Sequence, residues 1–370
     1  MHLLSVSITN FRNITEAHLE FDPDGTTVLT GNNGMGKTSV IEAIGYLATL
    51  QSFRGAPKDA LVRNGSPSAI VRAVVNTEGR HITIEAEIGA QGRSRTLVNR
   101  QPVKRRSELH GVLRASVFTP EYVGVIREGP SWRRSFLDNT LEVLDTRNEA
   151  VIVEVDRVLR QRAALLRNGG RRPSPEVLTT LDVWDDRLAR SGSALVEARE
   201  ALVAELQPLI QKHHDALAGA SVPVTVTYGR SWEDDLASAL VSARDHDLQR
   251  GITSVGPHRD ELTITLDGLP SRTHASQGEQ RSLALALQLA AHDLATARLG
   301  SAPLLLLDDV FSELDPERTR ALLAGMPPGQ TLLTTALPPP PEVEAARIYR
   351  ISLDGWTMEN PGGDGHGVAV

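Results

Sequence analysis

The stretch that decides the fold is GNNGMGKT, residues 31–38. Glycine stands at its first and sixth positions and is followed by lysine and threonine, the spacing of the Walker A phosphate-binding loop. The preceding run TTVLT is typical of a strand, and the following run KTSVIEAIGYLATL has apolar residues at helical spacing. Because this loop requires a strand before it and a helix after it, the sequence predicts a nucleotide-binding α/β fold.

The loop contains the groups that the phosphates of ATP require. Backbone N–H groups of a glycine-rich turn can face phosphates, and the helix N-terminus adds positive potential. Lys37 is expected to reach the β- and γ-phosphates, as a catalytic residue, and Thr38 to ligate Mg²⁺. A tight glycine turn without a ligand is the alternative. The predicted cofactor-binding residues of this loop are Gly31, Asn32, Asn33, Gly34, Met35, Gly36, Lys37, Thr38 and Ser39.

A second motif, LLLLDD at residues 304–309, has four apolar residues followed by two carboxylates. A fully buried parallel strand has this pattern, and ligands bind beyond the carboxyl ends of such strands. We expect Asp308 to hold Mg²⁺ through water, opposite Thr38. We expect Asp309 to polarise the attacking water as a catalytic residue. Without the Walker A loop, two acids after a strand would be read as a turn or a helix cap.

A third motif, SQGEQ at residues 276–280, precedes a long amphipathic helix, and SELD at residues 312–315 follows the aspartates. A loop of this kind at a helix N-terminus offers a second anion cradle. Its predicted cofactor-binding residues are Ser276, Gln277, Gly278 and Glu279. One γ-phosphate needs only one such loop, so two loops predict ATP sandwiched in an ATP-dependent homodimer. Alone, SQGEQ is a plausible helix cap.

The 370 residues contain no cysteine, which excludes disulfides, thiolate metal sites and cysteine nucleophiles. No apolar run reaches the roughly 18 residues of a membrane helix. The first residues, MHLLSVSITNFRN, lack the basic start and the cleavage site of a signal peptide. We therefore expect a cytoplasmic protein without a membrane partner.

Charge is unevenly distributed in the sequence. The net charge is −7, yet residues 91–172 contain 17 Lys and Arg against 9 Asp and Glu, a local excess of +8. A basic segment on an acidic body predicts a polyanion site, although a solvated arginine-rich helical face explains it equally well. The candidate DNA-binding residues are Arg93, Arg95, Lys104, Arg105, Arg106, Arg133 and Arg134.

The order of patterns along the chain predicts two lobes. Strand patterns dominate before about residue 118, helical patterns dominate from 119 to 250, and α/β alternation returns afterwards. We therefore predict a discontinuous ATPase lobe of residues 1–118 and 251–370, with mixed sheets plus helices. Residues 119–250 are predicted to form an inserted, mainly helical lobe. The helical part lacks sustained heptads, so no long coiled coil is expected.

The order GNNGMGKT, SQGEQ, LLLLDD and SELD resembles the ABC-type ATPase heads of the SMC group. Four further stretches resemble the RecF family of bacterial recombination mediators in particular, across about residues 1–335. They are NFRN (10–13), TPEYVGVIREGPSWRRSFLD (119–138), LRQRAALLR (159–167) and GPHRDEL (256–262).

This resemblance implies an ATP-dependent, DNA-binding protein of DNA replication and of the repair of DNA damage, including the SOS response. It would help to load recombinase at gaps or stalled forks, with RecR and possibly RecO as partners. The DNA is left open between single-stranded, double-stranded and junction forms. The resemblance also implies a weak, DNA-stimulated ATPase.

Three departures from the ABC pattern predict slow hydrolysis. Asp309 stands where many ABC ATPases have a longer glutamate, and the segment TPE (119–121) has no sensor glutamine. No histidine stands directly after TLLTT (331–335), so the usual switch histidine has no candidate there, and Thr335 would be a weak substitute.

Other functions remain open on sequence alone. A P-loop metabolic kinase shares Walker A but does not need SQGEQ or SELD. The ATPase subunit of a membrane transporter shares all four motifs, but normally has the glutamine and the histidine. A nucleotide-gated scaffold with negligible hydrolysis differs from our interpretation only in rate.

Overall fold

The computed structural model describes residues 1–170, 173–352, 355–359 and 368–369. The chain divides into two compact units. Unit 1 comprises Met1–Tyr122 and Ala295–Val370, and unit 2 comprises Val123–Leu294. The second boundary lies at residues 294–295 rather than after residue 250. Residues 261–266 pair with a strand of the helical unit, which assigns them to that unit.

The described residues contain sixteen strands. They are β1 His2–Phe11, β2 Ile14–Glu20, β3 Thr26–Gly31, β4 Ser68–Thr77, β5 Arg80–Gly89, β6 Arg95–Val98, β7 Gln101–Pro102, β8 Ala115–Phe118, β9 Val224–Gly229, β10 Glu261–Leu266, β11 Leu269–Pro270, β12 Leu304–Asp308, β13 Thr331–Thr335, β14 Ala345–Ser352, β15 Gly355–Glu359 and β16 Val368–Ala369.

Eleven α-helices complete the described residues, with short 3₁₀ turns at Pro120–Val123 and Val310–Glu313. The helices are α1 Lys37–Thr49, α2 Lys58–Leu61, α3 Ser107–His110, α4 Gly124–Arg127, α5 Pro130–Leu144, α6 Thr146–Gly169, α7 Pro175–Ala218, α8 Leu236–Arg250, α9 Ser271–His274, α10 Gln277–Leu299 and α11 Pro316–Gly325. None of the helices in the described ranges has the length and apolar composition needed to cross a membrane.

Unit 1 contains two sheets. An antiparallel sheet has the order β2-β1-β4-β5-β6-β7, and a mixed sheet has the order β16-β15-β14-β3-β13-β12-β8. The strands β14, β3, β13, β12 and β8 are mutually parallel, so their carboxyl ends lie at one edge. The Walker A loop follows β3 and the two aspartates lie at the end of β12, which brings the two motifs to the same edge.

Helix α1 lies in the core of unit 1. Every residue from Val40 to Ala48 is buried, and α1 contacts strands of both sheets. A helix that is apolar on all sides must be buried on all sides, and the run VIEAIGYLA has this character with one exception, Glu42. The helix that presents the phosphate-binding loop is therefore held by packing on both faces.

Unit 2 is mainly helical, with a small antiparallel sheet of order β11-β10-β9. Helices α6 and α7 pack side by side, and α8 contacts both. In the described residues of unit 2, no long coiled coil occurs. The predicted combination of mixed sheets, helices and a mainly helical second lobe is confirmed.

Candidate nucleotide-binding site

The Walker A loop (residues 31–38) wraps as its glycines predict. Gly36 has φ 106° and Gly31 has φ 141°, conformations that side chains disfavour. A Cβ on Gly31 would collide with the carbonyl oxygen of Ile351, and one on Gly36 would lie 3.3 Å from Asn13 Oδ1. Helix α1 begins at Lys37, so its unpaired N–H groups point toward the loop. The loop thus has the form of an anion cradle.

Asn13, in the turn between β1 and β2, supports this cradle. Its Nδ2 donates to the carbonyl of Gly34 at 2.7 Å, and its Oδ1 accepts from Ser39 Oγ at 2.8 Å. The amide therefore ties the middle of the loop to the first turn of α1. The stretch NFRN (10–13) suggested a family resemblance, but no pattern in the sequence indicated this role of Asn13.

The ammonium group of Lys37 lies within the cradle. Its Nζ donates to the carbonyls of Gly31 at 2.6 Å and of Asn32 at 2.9 Å. Burial lowers the pKa of Lys37, while the charges of Asp309 and Asp308 raise it. An ammonium has three donors, so one remains for a phosphate oxygen.

Thr38 and Asp308 meet although 270 residues separate them in the sequence. Thr38 Oγ1 donates to Asp308 Oδ1 at 2.9 Å, and Thr334 Oγ1 donates to the same oxygen at 2.7 Å. Burial raises the pKa of Asp308, these two hydrogen bonds lower it, and the charges of Glu121 and Asp309 raise it. Since the hydroxyl hydrogen of Thr38 points to Asp308, its oxygen lone pairs remain for a cation.

The side-chain oxygen atoms of Thr38 and Asp308 are suitable ligands for Mg²⁺. The cation prefers hard oxygen ligands and is usually held by one or two carboxylates together with phosphate oxygens and water. Thr38 would supply a hydroxyl oxygen, and Asp308 a carboxylate. The predicted pairing of these two residues is consistent with the structure, and the metal assignment itself stays a prediction.

Asp309 has an unusual backbone conformation. Its φ is 49°, in the left-handed region, and its N–H donates to Thr334 Oγ1 at 3.0 Å and to the Thr334 carbonyl at 3.2 Å. The side chain is partly exposed at the end of β12. Asp309 therefore stays a candidate for the water-polarising carboxylate.

The segment TPE contributes a third acid to this edge. Glu121 lies in the 3₁₀ turn that follows β8, the neighbour of β12 in the sheet. It is exposed, and its charge acts on Asp308. A carboxylate thus stands where ABC ATPases often have a neutral glutamine.

Arg12 is engaged away from the phosphate loop. Its Nε and Nη2 donate to the two carboxylate oxygens of Glu42 at 2.7 Å each, and its Nη1 donates to the carbonyl of Ala60 at 2.9 Å. Glu42 is fully buried in α1. If Arg12 turned toward a phosphate, this buried carboxylate would keep the hydroxyl of Ser52 but lose its counter-charge, at about 3–5 kcal/mol.

The signature loop (residues 276–280) lies in unit 2. Ser276 N–H donates to Glu279 Oε2 at 2.7 Å, and Glu279 N–H donates to Ser276 Oγ at 3.3 Å. This reciprocal pair is a capping box, which opens α10. Gln280 accepts from Arg127 Nε at 2.6 Å and donates to the carbonyls of Ser271 and Arg272. Ser276 and Gln277 are exposed, so the loop is presented to solvent.

The candidate DNA-binding residues fall into two groups. Arg95 is exposed on β6, where it pairs with Glu87 at 3.4 Å. Arg93 is exposed just before β6, Lys104 and Arg105 are exposed just after the edge strand β7, and Arg106 is half-buried. Arg100, in the β6–β7 turn, is also exposed. With Arg100 added, these exposed residues form what we call the basic edge: Arg93, Arg95, Arg100, Lys104 and Arg105.

The second group, in α5, requires a correction. Arg133 is buried and donates to both carboxylate oxygens of Glu261 at 2.7 and 3.0 Å, and also to two backbone carbonyls. Its donors are directed inward, so we remove Arg133 from the DNA-contacting candidates. Arg134 is half-buried and donates to the carbonyl of Asp260 at 2.8 Å.

Two of the other stretches that resemble the RecF family, residues 119–138 and 159–167, contribute Asp138 and Arg162 to ion pairs within unit 2. Arg162 is fully buried and pairs with Asp185 at 2.6 Å and with Asp247 at 2.7 Å, joining α6, α7 and α8. Arg199 pairs with Asp138 at 2.7 Å. We call these five residues the ion-pair core.

Comparisons with known proteins agree with this geometry. Residues 2–330 match the family described as the RecF/RecN/SMC N terminal domain. The DNA replication and repair protein RecF of Frankia alni is 42% identical over 354 residues, which cover 91% of this chain and 93% of the relative. The protein of that name from Streptomyces avermitilis is 40% identical over 353 residues, with the same coverage.

Among solved structures, that of the recombination mediator protein RecF with ATP, in the RecFOR pathway, superposes with a TM-score of 0.88. It is 28% identical and covers 97% of both chains. The fold is therefore that of a RecF and SMC-type ATPase head, and the resemblance inferred from the sequence motifs is confirmed.

Proposed function

The chain belongs to the RecF family, and on that premise we propose that it binds ATP with Mg²⁺ and uses the bound nucleotide to control DNA binding in DNA replication and repair. The observation that carries the proposal is the hydrogen bond from Thr38 to Asp308. This bond joins the Walker A loop to the end of LLLLDD (residues 304–309), which we assign as the Walker B motif, and so supports a shared site for a nucleotide and its cation.

Each residue at the site has a defined task in this proposal. Lys37 and the N–H groups of the loop neutralise the phosphates, and Asn13 holds the loop in shape. When bound, Mg²⁺ supplies positive charge that stabilises the phosphate chain. Asp309 orients and polarises the attacking water.

Hydrolysis is proposed to be slow, well below the median enzyme rate of about 10 s⁻¹. Asp309 is one methylene shorter than the glutamate of many ABC ATPases. Glu121 places an additional negative charge near Asp308. A neutral glutamine at position 121 would not add this charge. DNA is proposed to stimulate this weak activity.

The signature loop supports ATP-driven dimerisation. Its exposed Ser276 and the N-terminus of α10 form a second anion cradle, in a different unit from Walker A. In the proposed dimer, each nucleotide held by Walker A of one protomer meets the signature loop of the partner.

The basic edge supports contact with DNA. Phosphate contacts do not depend on base sequence and need only cations on one face. The five exposed residues of the basic edge can supply these cations. The family relationship supports the role of a mediator that helps to load recombinase at gaps or stalled forks, with RecR and possibly RecO as partners.

DNA retention with and without nucleotide tests the proposal. We would measure binding to single-stranded, double-stranded and junction DNA with no nucleotide, with ATP, and with a slowly hydrolysed analogue. Retention that rises with ATP or the analogue on at least one DNA is expected, together with slow release of phosphate. Equal retention in all conditions, or no binding of ATP, would contradict the proposal.

The same assays separate the alternatives. Phosphate release that is absent with and without DNA, combined with ATP-dependent DNA retention, would favour the scaffold. Co-sedimentation with lipid vesicles and no DNA retention would favour the transporter subunit.

A further inference from the structure

Two neighbouring threonines end strand β13, and their hydroxyl groups make different contacts. Thr335 Oγ1 donates to the carbonyl of Leu337 at 2.9 Å and accepts from its N–H at 3.2 Å. Thr334 Oγ1 donates to Asp308 Oδ1 at 2.7 Å and accepts from the N–H of Asp309 at 3.0 Å. Both side chains are buried, so exposure does not distinguish them.

The register of the sheet explains the difference. Strands β12 and β13 are parallel, with Asp308 opposite Thr334 and Leu307 opposite Leu333. Successive side chains of a strand point to opposite faces. Thr334 therefore shares the face of Asp308, whereas Thr335 turns back to the loop that follows β13.

We infer that Thr334 is a positioning residue for the ATP–Mg²⁺ site, which rests on the proposed function. With one hydroxyl as donor and acceptor, it orients the side chain of Asp308 and holds the backbone of Asp309. The left-handed conformation of Asp309 is adopted by few residues other than glycine, asparagine and aspartate, and the bond from its N–H to Thr334 helps to hold it.

Thr334 and Thr38 both donate to Asp308 Oδ1, but they differ in burial and in what else the hydroxyl is proposed to do. Thr38 belongs to the phosphate-binding loop and is partly exposed, and its oxygen is also the proposed cation ligand. Thr334 is fully buried within the sheet. Thr334 is thus the donor to Asp308 that is not itself a proposed ligand of the cation.

The test compares Thr334→Val, which keeps the shape but removes the hydroxyl, with Thr334→Ser, which keeps the hydroxyl. The matched control is Thr331→Val, which removes a buried hydroxyl at the start of the same strand. Binding of a fluorescent ATP analogue would be measured in EDTA and across a Mg²⁺ titration, with ATP turnover as a second readout.

We expect Thr334→Val to weaken the Mg²⁺-dependent part of ATP binding and to lower ATP turnover, each by about 10–100-fold. Losing the hydrogen-bond partner of a metal-binding side chain has effects of this size in other proteins. Binding in EDTA should stay within about twofold of the parent, because the Walker A loop is intact. Thr334→Ser should restore both quantities to within about threefold, and Thr331→Val should resemble the parent.

Three results would overturn the inference: a Mg²⁺ dependence of Thr334→Val equal to that of the parent, a loss of binding in EDTA as large as the loss in Mg²⁺, or the same loss of Mg²⁺-dependent binding in Thr331→Val. If Thr334→Val does not fold, Thr334→Ala removes the same hydroxyl and carries the same expectation. If the parent protein binds no ATP, the proposed function is overturned as well. If the parent binds ATP and Thr334→Val has the same Mg²⁺-dependent binding as the parent, only this inference is overturned.

Discussion

The nucleotide-binding edge of unit 1 and the ion-pair core of unit 2 both concentrate charge, but they use it in opposite ways. At the edge of unit 1, Lys37 and Thr38 each keep a donor or a lone pair for a ligand. In the ion-pair core, the charge of Arg162 is fully buried and lies between two carboxylates. Family-like motifs therefore mark two kinds of region: one that binds a ligand and one that holds helices together.

The largest effect is expected in the ion-pair core. Replacing Arg162→Ala leaves Asp247, which is fully buried, without its counter-charge, and should lower the free energy of unfolding by about 3–5 kcal/mol. Urea unfolding followed by tryptophan fluorescence measures this, since Trp132, Trp184 and Trp232 report on unit 2.

The matched control is Arg190→Ala, which breaks the exposed pair of Arg190 with Asp186. Exposed pairs contribute at most about 1 kcal/mol, so this variant should unfold almost as the parent does. Similar midpoints for Arg162→Ala and Arg190→Ala would show that the core charges do not hold α6, α7 and α8 together.

The second-largest effect is expected at the nucleotide-binding edge of unit 1. Lys37→Ala should lower the affinity for ATP by at least about 100-fold, or about 2.7 kcal/mol, because the phosphates would then face the carbonyls of Gly31 and Asn32 without a cation. Equilibrium binding of a fluorescent ATP analogue measures it.

Lys58→Ala is the control for Lys37→Ala, since Lys58 is exposed at the start of α2. Its affinity for ATP should equal that of the parent. An affinity within about threefold of the parent in Lys37→Ala would refute the Walker A assignment.

The third effect is on assembly. Ser276→Arg adds bulk and positive charge to the signature loop and should reduce ATP-driven dimerisation by about tenfold or more, with ATP binding by the monomer unchanged. Light scattering with a slowly hydrolysed analogue measures the dimer. Thr273→Arg adds the same side chain at an exposed site three residues earlier and should dimerise as the parent does. Parental dimerisation of Ser276→Arg would disprove the sandwich arrangement.

The smallest effect is expected at the basic edge. Arg105→Ala removes one exposed cation and should reduce the salt dependence of DNA binding by about one phosphate contact, with only a few-fold loss of affinity. Arg80→Ala, an exposed arginine outside the basic segment, should leave the salt dependence unchanged. If the two variants have the same salt dependence, the basic edge is not the DNA-contacting surface.

Sequence patterns predicted the local parts of the site well. The strand, loop and helix around GNNGMGKT follow from glycine spacing and apolar periodicity, which act over a few residues. The capping box of Ser276 and Glu279 is equally local. Predictions were weakest for arginines, because Arg133 of the helical unit and exposed Arg105 look alike until burial and partners are known.

Sequence patterns were enough to predict the conformation of residues 31–38 and the pair of acids at the end of β12, because backbone conformation and strand burial are encoded in short stretches. Tertiary structure alone decided which side chains complete the site. Thr334 rather than Thr335 reaches Asp308, because the register of two parallel strands selects one face. Arg12 is bound to Glu42 and not to the phosphate loop, because a carboxylate buried in α1 needs a partner that only the packed fold provides.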